Sequence, residues 1–440
     1  MQRAFGLGAG LLAAPKLLAE PAFLTEKTVK QSHSQQERSG TPLLVETPDV
    51  PNLPFTMDGA VKVFHLVAEP VKRELIPGQA MQVWGFNGSC PGPTIQVTQG
   101  ERVRVVLDNH LPEPTTMHWH GFEIPNAMDG MPYISQQPIA PGGRFLYEFT
   151  LHQEGTYFYH AHGAMQEMMG MIGMFIMHPR AAHAPAVDHD FGIVLQGWAI
   201  LPNNTVPNTA GMEFNWLTFN GKSGPATKPL LVRHGSRVRI RFVNLGMDHH
   251  PIHVHGHTFA VTGGEAGRYP QALWMPGNTV LVGVAQARDV EFVASNPGDW
   301  MVHCHLPHHM MNSMMDLMSE RRFVTGALSP QQDAEQMPLM MAQAEGRTSH
   351  DAHGSREEQV APGATGISGF PQDVYMEMPM DKAVARPETA GLPANWTAGM
   401  QGMMTLLRVL PPEKYDSIMA ELRRPGRSHI EDTHKHGAGK

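Results

Sequence analysis

Four histidine pairs spaced His-x-His mark this chain: His118/His120, His160/His162, His253/His255 and His303/His305. On an extended strand alternate side chains share a face, so each pair sets two imidazoles side by side and turns the middle residue away. A single such pair on a surface is ordinary. Eight imidazoles at equivalent points of a repeated unit are not, because burying them without a metal would leave many polar groups to satisfy. The middle residue of the last pair is Cys304, and His250, His309 and Met314 lie nearby in sequence. Two histidines, a cysteine and a weak axial methionine are the ligand set of a blue copper electron-transfer site. Since Cys304 faces away from both neighbours, one strand can hold that metal on one side and pass electrons to ions held by His303 and His305 on the other.

These residues sit in a duplicated sequence. Asn87-Gly88 returns as Asn220-Gly221, Asn109 as Asn244, and Gly100-Glu101-Arg102-Val103-Arg104 as Gly235-Ser236-Arg237-Val238-Arg239. His118-Trp119-His120-Gly121 returns as His253-Val254-His255-Gly256, and Gly155 to His162 matches Gly298 to His305. The first copy carries Thr115, Ala161, Gln166 and Met171 where the second has His250, Cys304, His309 and Met314, so only the second has the blue copper set.

Glu101 to Asn109 and Arg237 to Asn244 alternate polar with apolar residues, the pattern of half-buried strands. Pro91-Gly92-Pro93 and Pro141-Gly142-Gly143 supply turns between such runs, as in a Greek-key sandwich or barrel. This predicts an all-β fold. Domain one is placed at 55–180 and domain two at 186–325, preceded by an arm over 1–54. Residues 326–440 contain no third copy and read as an extension rich in Met and Pro, with one helix from Glu413 towards Leu422.

Composition agrees. The chain has 440 residues, enough for two to four domains. Lys plus Arg number 33 against 41 Asp plus Glu, a net charge of −8, which excludes a general nucleic-acid coat. With 44 Gly and 37 Pro the chain favours many short strands joined by turns. Histidine and methionine are abundant at 26 and 31, and both are ligands for soft or borderline metals. The two cysteines, Cys90 and Cys304, cannot form a disulfide framework, and pairing them would consume the thiolate the blue site needs. The longest uncharged apolar run, Ala4 to Ala14, falls well short of the ~20 residues of a membrane span. With Arg3 before it and small residues after, it reads as an export signal, placing the protein in the periplasm or otherwise outside the cytoplasm. Arg3-x-Phe5 resembles the second half of a twin-arginine signal, with Gln2 in place of the first arginine.

The chain resembles the laccase-like multicopper oxidases, in particular their two-domain bacterial members. The likeness covers about 60–325 and rests on His118-Trp-His-Gly121, His160-Ala-His162, His250-Pro-Ile-His-Val-His-Gly256, and His303-Cys-His305 with His309 and Met314. It implies two tandem cupredoxin-like domains and four coppers per subunit. Type 1 copper would be held by His250, Cys304, His309 and Met314, and type 2 by His118 and His253. The type 3 pair would be held by His120, His160, His162, His255, His303 and His305. The implied reaction takes electrons singly from a reductant at type 1 copper and reduces O2 to water at the three-copper cluster. The resemblance also assigns Asp129 to proton supply or to hydrogen bonding near type 2 copper, and Cys90 to no ligand role. Met310 follows His309 where some relatives carry an acid. Because a cluster needs two cupredoxin faces, a two-domain chain implies a homotrimer, each cluster shared between domain one of one subunit and domain two of the next.

Methionine is the clue to the reductant, because thioethers favour Cu(I). Clusters occur at Met165, Met168, Met169, Met171 and Met174, at Met310, Met311, Met314, Met315 and Met318, and through the tail at Met340-Met341, Met376/Met378/Met380 and Met400/Met403/Met404. They point to a cuprous oxidase in copper tolerance, against the alternatives that they fill core gaps and that phenols are the substrate. Two other classes compete. A non-catalytic copper store could use the same His and Met but needs no cysteine-linked electron route. A copper nitrite reductase would carry its blue site in domain one.

Overall fold

The computed structural model describes residues 42–201, 204–212, 214–312 and 380–424. The apolar run at Ala4 to Ala14 lies outside them, and no helix among the described residues is long and apolar enough to cross a membrane. The first repeat begins with strands β1 (Phe55–Asp58), β2 (Val61–Ile76), β3 (Gln79–Phe86), β4 (Gly92–Thr98) and β5 (Arg102–Asn109). It continues with β6 (Met117–His120), β7 (Arg144–Thr150), β8 (Gly155–Ala161) and β9 (Ile172–His178), with the short helix α1 (Ala164–Met168) before the last. Two sheets form, β1-β2-β5-β7 with β3 on β2, and β4-β9-β8-β6. Trp119, Tyr147, Tyr159 and Phe175 fill the core between them.

The second repeat runs β10 (His189–Trp198), β11 (Trp216–Phe219), β12 (Leu230–Arg233), β13 (Arg237–Asn244), β14 (His250–Val254) and β15 (Phe259–Gly264). It adds β16 (Gly267–Arg268), β17 (Met275–Gly277), β18 (Thr279–Val282), β19 (Gln286–Val293), β20 (Gly298–Cys304) and β21 (Met404–Leu410). The sheets are β11-β10-β13-β19-β15-β16, with β17 on β15, and β12-β21-β20-β14-β18. Parallel pairs fall at matching places, β2 on β5 and β4 on β9 in one repeat, β10 on β13 and β12 on β21 in the other. The repeated residues do repeated work. Asn87 and Gly88 have φ of 50° and 71°, Asn220 and Gly221 53° and 72°, the left-handed pair of a tight hairpin turn. Asn109 and Asn244 are fully buried and donate to Ile139 O at 2.8 Å and Val282 O at 3.1 Å, pinning the loops that lead to the histidine strands.

The domain boundary expected near 325 does not hold for the second repeat. Its histidine-bearing sheet is completed by β21, inserted between β12 and β20 from within the supposed extension, and all seven of its residues are buried. The buried Arg408 is satisfied there by Asp299 Oδ1 at 2.6 Å and Glu388 O at 2.6 Å. The helix expected from Glu413 is present as α2 (Pro412–Leu422), packing Ile418 against Leu231 and Leu410. The two repeats meet on an apolar seam of Phe158, Ile172, Ile176, Val194 and Val243. Beside it Thr156 of β8 donates to Asp289 Oδ1 and accepts from Arg241, both at 2.7 Å.

Candidate metal centres

Strand register places the histidine pairs against one another. His118 lies opposite His160 across β6 and β8, and His253 opposite His303 across β14 and β20. In the first repeat the ring of His118 lies 5.6, 5.3 and 5.3 Å from those of His120, His160 and His162. In the second, His253 lies 4.7, 5.7 and 5.7 Å from His255, His303 and His305. Among the described residues no ring contact joins the two groups, so each repeat carries its own group of four histidines.

Backbone carbonyls fix the tautomers. Nδ1 of His118 bonds Asp129 O at 2.8 Å, that of His160 bonds Ala161 O at 3.0 Å, that of His253 bonds Asn278 O at 2.7 Å, and that of His303 bonds Cys304 O at 2.8 Å. With the proton on Nδ1, Nε2 offers a lone pair to a metal. His255 Nε2 and His303 Nε2 are 3.0 Å apart, and His120 Nδ1 and His160 Nε2 3.4 Å apart, spacings that suit a shared ion or proton. Burial and neighbouring imidazoles hold His120 down to about 4, and burial holds His160 down to about 3. Both are therefore neutral near pH 7, the form that ligates.

On the opposite face of β20, His250, Cys304 and His309 converge in a buried pocket. The two Nδ1 atoms are 3.1 Å apart, and Cys304 Sγ lies 3.7 Å from that of His250 and 3.4 Å from that of His309. A tetrahedral ion with nitrogens at 2.0–2.1 Å and a thiolate at 2.3 Å separates such atoms by about 3.3–3.6 Å. The observed 3.1, 3.7 and 3.4 Å bracket that range, so the donor set fits a metal with only small adjustments. Burial pushes the Cys304 thiol up to about 12, the His250 imidazole down to about 3 and that of His309 down to about 4. A bound ion would deprotonate the thiol outright. His250 Nε2 is buried without a hydrogen-bond partner.

The corresponding pocket of the first repeat is closed. Thr115 Oγ1 donates to Gln166 Oε1 at 2.7 Å, Gln166 Nε2 donates to Glu113 Oε1 at 2.7 Å and Pro114 O at 2.8 Å, and Ala161 offers no sulfur. An amide network stands where the second repeat presents imidazoles.

Met314 lies outside the described residues, as do Met315, Met318, Met340, Met341, Met376 and Met378. Other methionines divide by burial. Met171, Met174, Met177, Met400, Met403 and Met404 are all buried, whereas Met165 is exposed on α1. Asp129 reaches His118 chiefly through its backbone carbonyl, with Oδ1 3.4 Å from the same nitrogen. The following Gly130 has φ +83°, and a Cβ there would sit 1.7 Å from Met117 O, so the turn admits only glycine. Cys90 is buried away from every histidine pair, its thiol 3.5 Å from Gly170 O. Residues that spacing did not reveal are Asp248, with Oδ2 3.6 Å from His309 Nε2, and Glu167, with Oε2 3.4 Å from His160 Nδ1. Burial raises the Glu167 carboxyl to about 7. Neither lies in a recognisable motif.

Two family models, both described as multicopper oxidase, match residues 68–182 and 201–322. The chain is 36% identical over 145 residues to Copper resistance protein A of Escherichia coli, covering 33% of this chain and 24% of that protein. It is 28% identical over 268 residues to the multicopper oxidase MmcO of Mycobacterium tuberculosis, covering 52% and 51%. Against the blue copper oxidase from Nitrosomonas europaea the TM-score is 0.53 at 32% identity, over 57% of this chain and 81% of that one. The chain thus spans about a quarter to a half of the length of these curated relatives.

Proposed function

Because the chain belongs to the multicopper oxidases, we propose that it couples one-electron oxidation of a reductant, Cu(I) or a phenol, to four-electron reduction of O2 to water. The observation that carries this reading is β20, which sets the Cys304 pocket on one face and His303 on the other, adjacent in the chain. A store needs no such route, and the closed pocket around Thr115 and Gln166 argues against a nitrite reductase, whose blue site belongs in domain one.

His250, Cys304 and His309 would hold type 1 copper together with a methionine thioether. His118 and His253 would hold type 2, and His120, His160, His162, His255, His303 and His305 the type 3 pair, making four coppers per subunit. When bound, copper supplies the one-electron steps and the reduction of oxygen. The chain's own part is to fix the histidine tautomers through the carbonyls of Asp129, Ala161, Asn278 and Cys304. Cys304, fully buried, would keep the start of the electron path in a dry core. The Asp129 carboxylate, with Oδ1 3.4 Å from His118 Nδ1, would hold or pass a proton at nearby solvent.

Each group of four histidines would be a half-cluster that needs a second, and among the described residues the two groups make no ring contact. The reading is a homotrimer in which domain one of one subunit faces domain two of the next. Light scattering that finds a fully active, copper-loaded monomer overturns it. A copper-tolerance role outside the cytoplasm draws on the relative named Copper resistance protein A and on the signal-like N-terminus.

The deciding experiment is oxygen consumption by copper-loaded protein given Cu(I) and, in parallel, an electron-rich phenol, with peroxide assayed at the end. Uptake without peroxide supports the four-electron oxidase, and the faster substrate names the reductant. No uptake with either puts copper storage first.

A further inference from the structure

We infer that the axial methionine of the Cys304 pocket is Met403, delivered from β21's side of the chain, in place of the sequence-adjacent Met314. The inference rests on the type 1 reading of that pocket. His303 pairs with Met404 across β20 and β21, so the next pair sets Cys304 opposite Met403, closed by Cys304 N–H donating to Met403 O at 3.0 Å. Side chains alternate along β21. Met404 and Leu406 pack on one side with Met301, whereas Met403, Leu407 and Val409 share a core with Val302 and Cys304. Facing residues on one side of an antiparallel pair have Cβ atoms about 4.5–5.5 Å apart. An unbranched thioether spans that gap and can reach an ion held by the neighbouring thiolate. Met403 is fully buried.

The first repeat supplies an internal control. Ala161 N–H donates to Met171 O at 3.0 Å, as Cys304 does to Met403, and Met171 N–H donates to Gln166 O at 3.2 Å, as Met403 does to His309 O at 2.8 Å. Ala161, Gln166 and Met171 therefore correspond to Cys304, His309 and Met403. Each methionine also follows a left-handed glycine, Gly170 at φ +108° and Gly402 at φ +66°. Met314 lies five residues after His309, as Met171 lies five after Gln166, and that spacing made it the candidate by sequence. In three dimensions the place of Met171 belongs to a residue on the far side of a long insertion.

The test compares Met403→Leu and Met314→Leu in the full-length, copper-loaded protein, reading the type 1 reduction potential, the visible spectrum and the copper hyperfine coupling. Met403→Leu keeps the blue band and raises the potential, because losing an axial donor favours the reduced ion. Met403→Gln, with a harder oxygen donor, shifts the potential the opposite way, and Met314→Leu matches wild type in all three readouts. A potential moved by Met314→Leu and unmoved by either Met403 variant overturns the inference alone. A wild-type protein that loads copper without a blue band overturns the pocket's type 1 reading together with it.

Discussion

Ending the chain after residue 325, where the sequence puts the edge of the second repeat, should unfold that repeat instead of trimming a tail. The cut removes β21 from the middle of its sheet. Met404, Leu406, Leu407, Val409 and Leu410 on that strand are 2%, 7%, 0%, 1% and 3% exposed. At roughly 1.5–3 kcal/mol for each fully buried apolar side chain, their loss amounts to about 8–15 kcal/mol. A whole domain is stable by only about 5–15 kcal/mol. The truncation further strips Asp299 of its partner Arg408 and leaves the inner edges of β12 and β20 unpaired. Excising only 313–379, with a flexible Gly/Ser linker from Asn312 to Met380, leaves the strand and its ion pair in place. Calorimetry should show the second repeat's transition lost in the first variant and kept in the second. Blue absorption after copper loading should follow the same division. A chain ending at 325 that melts cooperatively in both repeats and turns blue would refute the argument.

Cys304→Ser should abolish the intense blue colour and turnover while the half-clusters still bind copper, as metal analysis would record; persistent blue absorption would contradict the pocket assignment. Asp129→Asn preserves the backbone carbonyl that holds His118 and removes only the carboxylate, so turnover should fall about 10–100-fold at unchanged copper content. Undiminished oxygen uptake would strip the carboxylate of its role. Burial alone would raise Glu291, but the Arg268 hydrogen bond and the charges of Arg239, Arg268 and Arg237 outweigh it and bring the carboxyl from 4.5 to about 2. A folded value below the unfolded one means the stabilisation is present above pH 4.5 and lost as pH falls through about 2. Urea melts between pH 5 and pH 2 should therefore show a fall in stability that is flattened in Glu291→Gln, and parallel curves would falsify the linkage. That variant should also be about 3–5 kcal/mol less stable at neutral pH, because three arginines lose their buried counter-charge.

The half-buried strands were legible because their pattern is imposed by having one wet and one dry face. Arg102–Asn109 keeps such a face, whereas Arg237–Asn244 was bounded correctly but is buried on both faces, its polar positions Arg239 and Arg241 being paired inside with Glu291 and Asp190. The His-x-His logic also transferred directly, since the two-residue period of a strand needs no tertiary information to place His303 and His305 opposite to Cys304. Strand β21 was hidden for the converse reason. Buried on both faces, Met404–Leu410 has no alternation to read, and a long insertion separates it from the strand it pairs with. Methionine type was only half informative in the same region, because the sequence shows a soft ligand at Met400 and Met404 but not the core that surrounds them. Asp129 was found by motif, yet its closest contact with His118 uses its carbonyl, which no side-chain pattern records.

The placement of β21 also sets the order in which the protein can be assembled during synthesis. The first repeat is complete once β9 has emerged, whereas the second cannot close until the last strand has been made. About 100 residues separate Cys304 from Met403, roughly 5–20 s of translation. Throughout that interval β20 lacks its inner neighbour, and the thiol at its end stands uncovered on an unfinished sheet. Metal incorporation at this pocket is therefore a late event, and the nascent second repeat passes through a stage in which an open strand edge and a reactive sulfur must be kept from other chains.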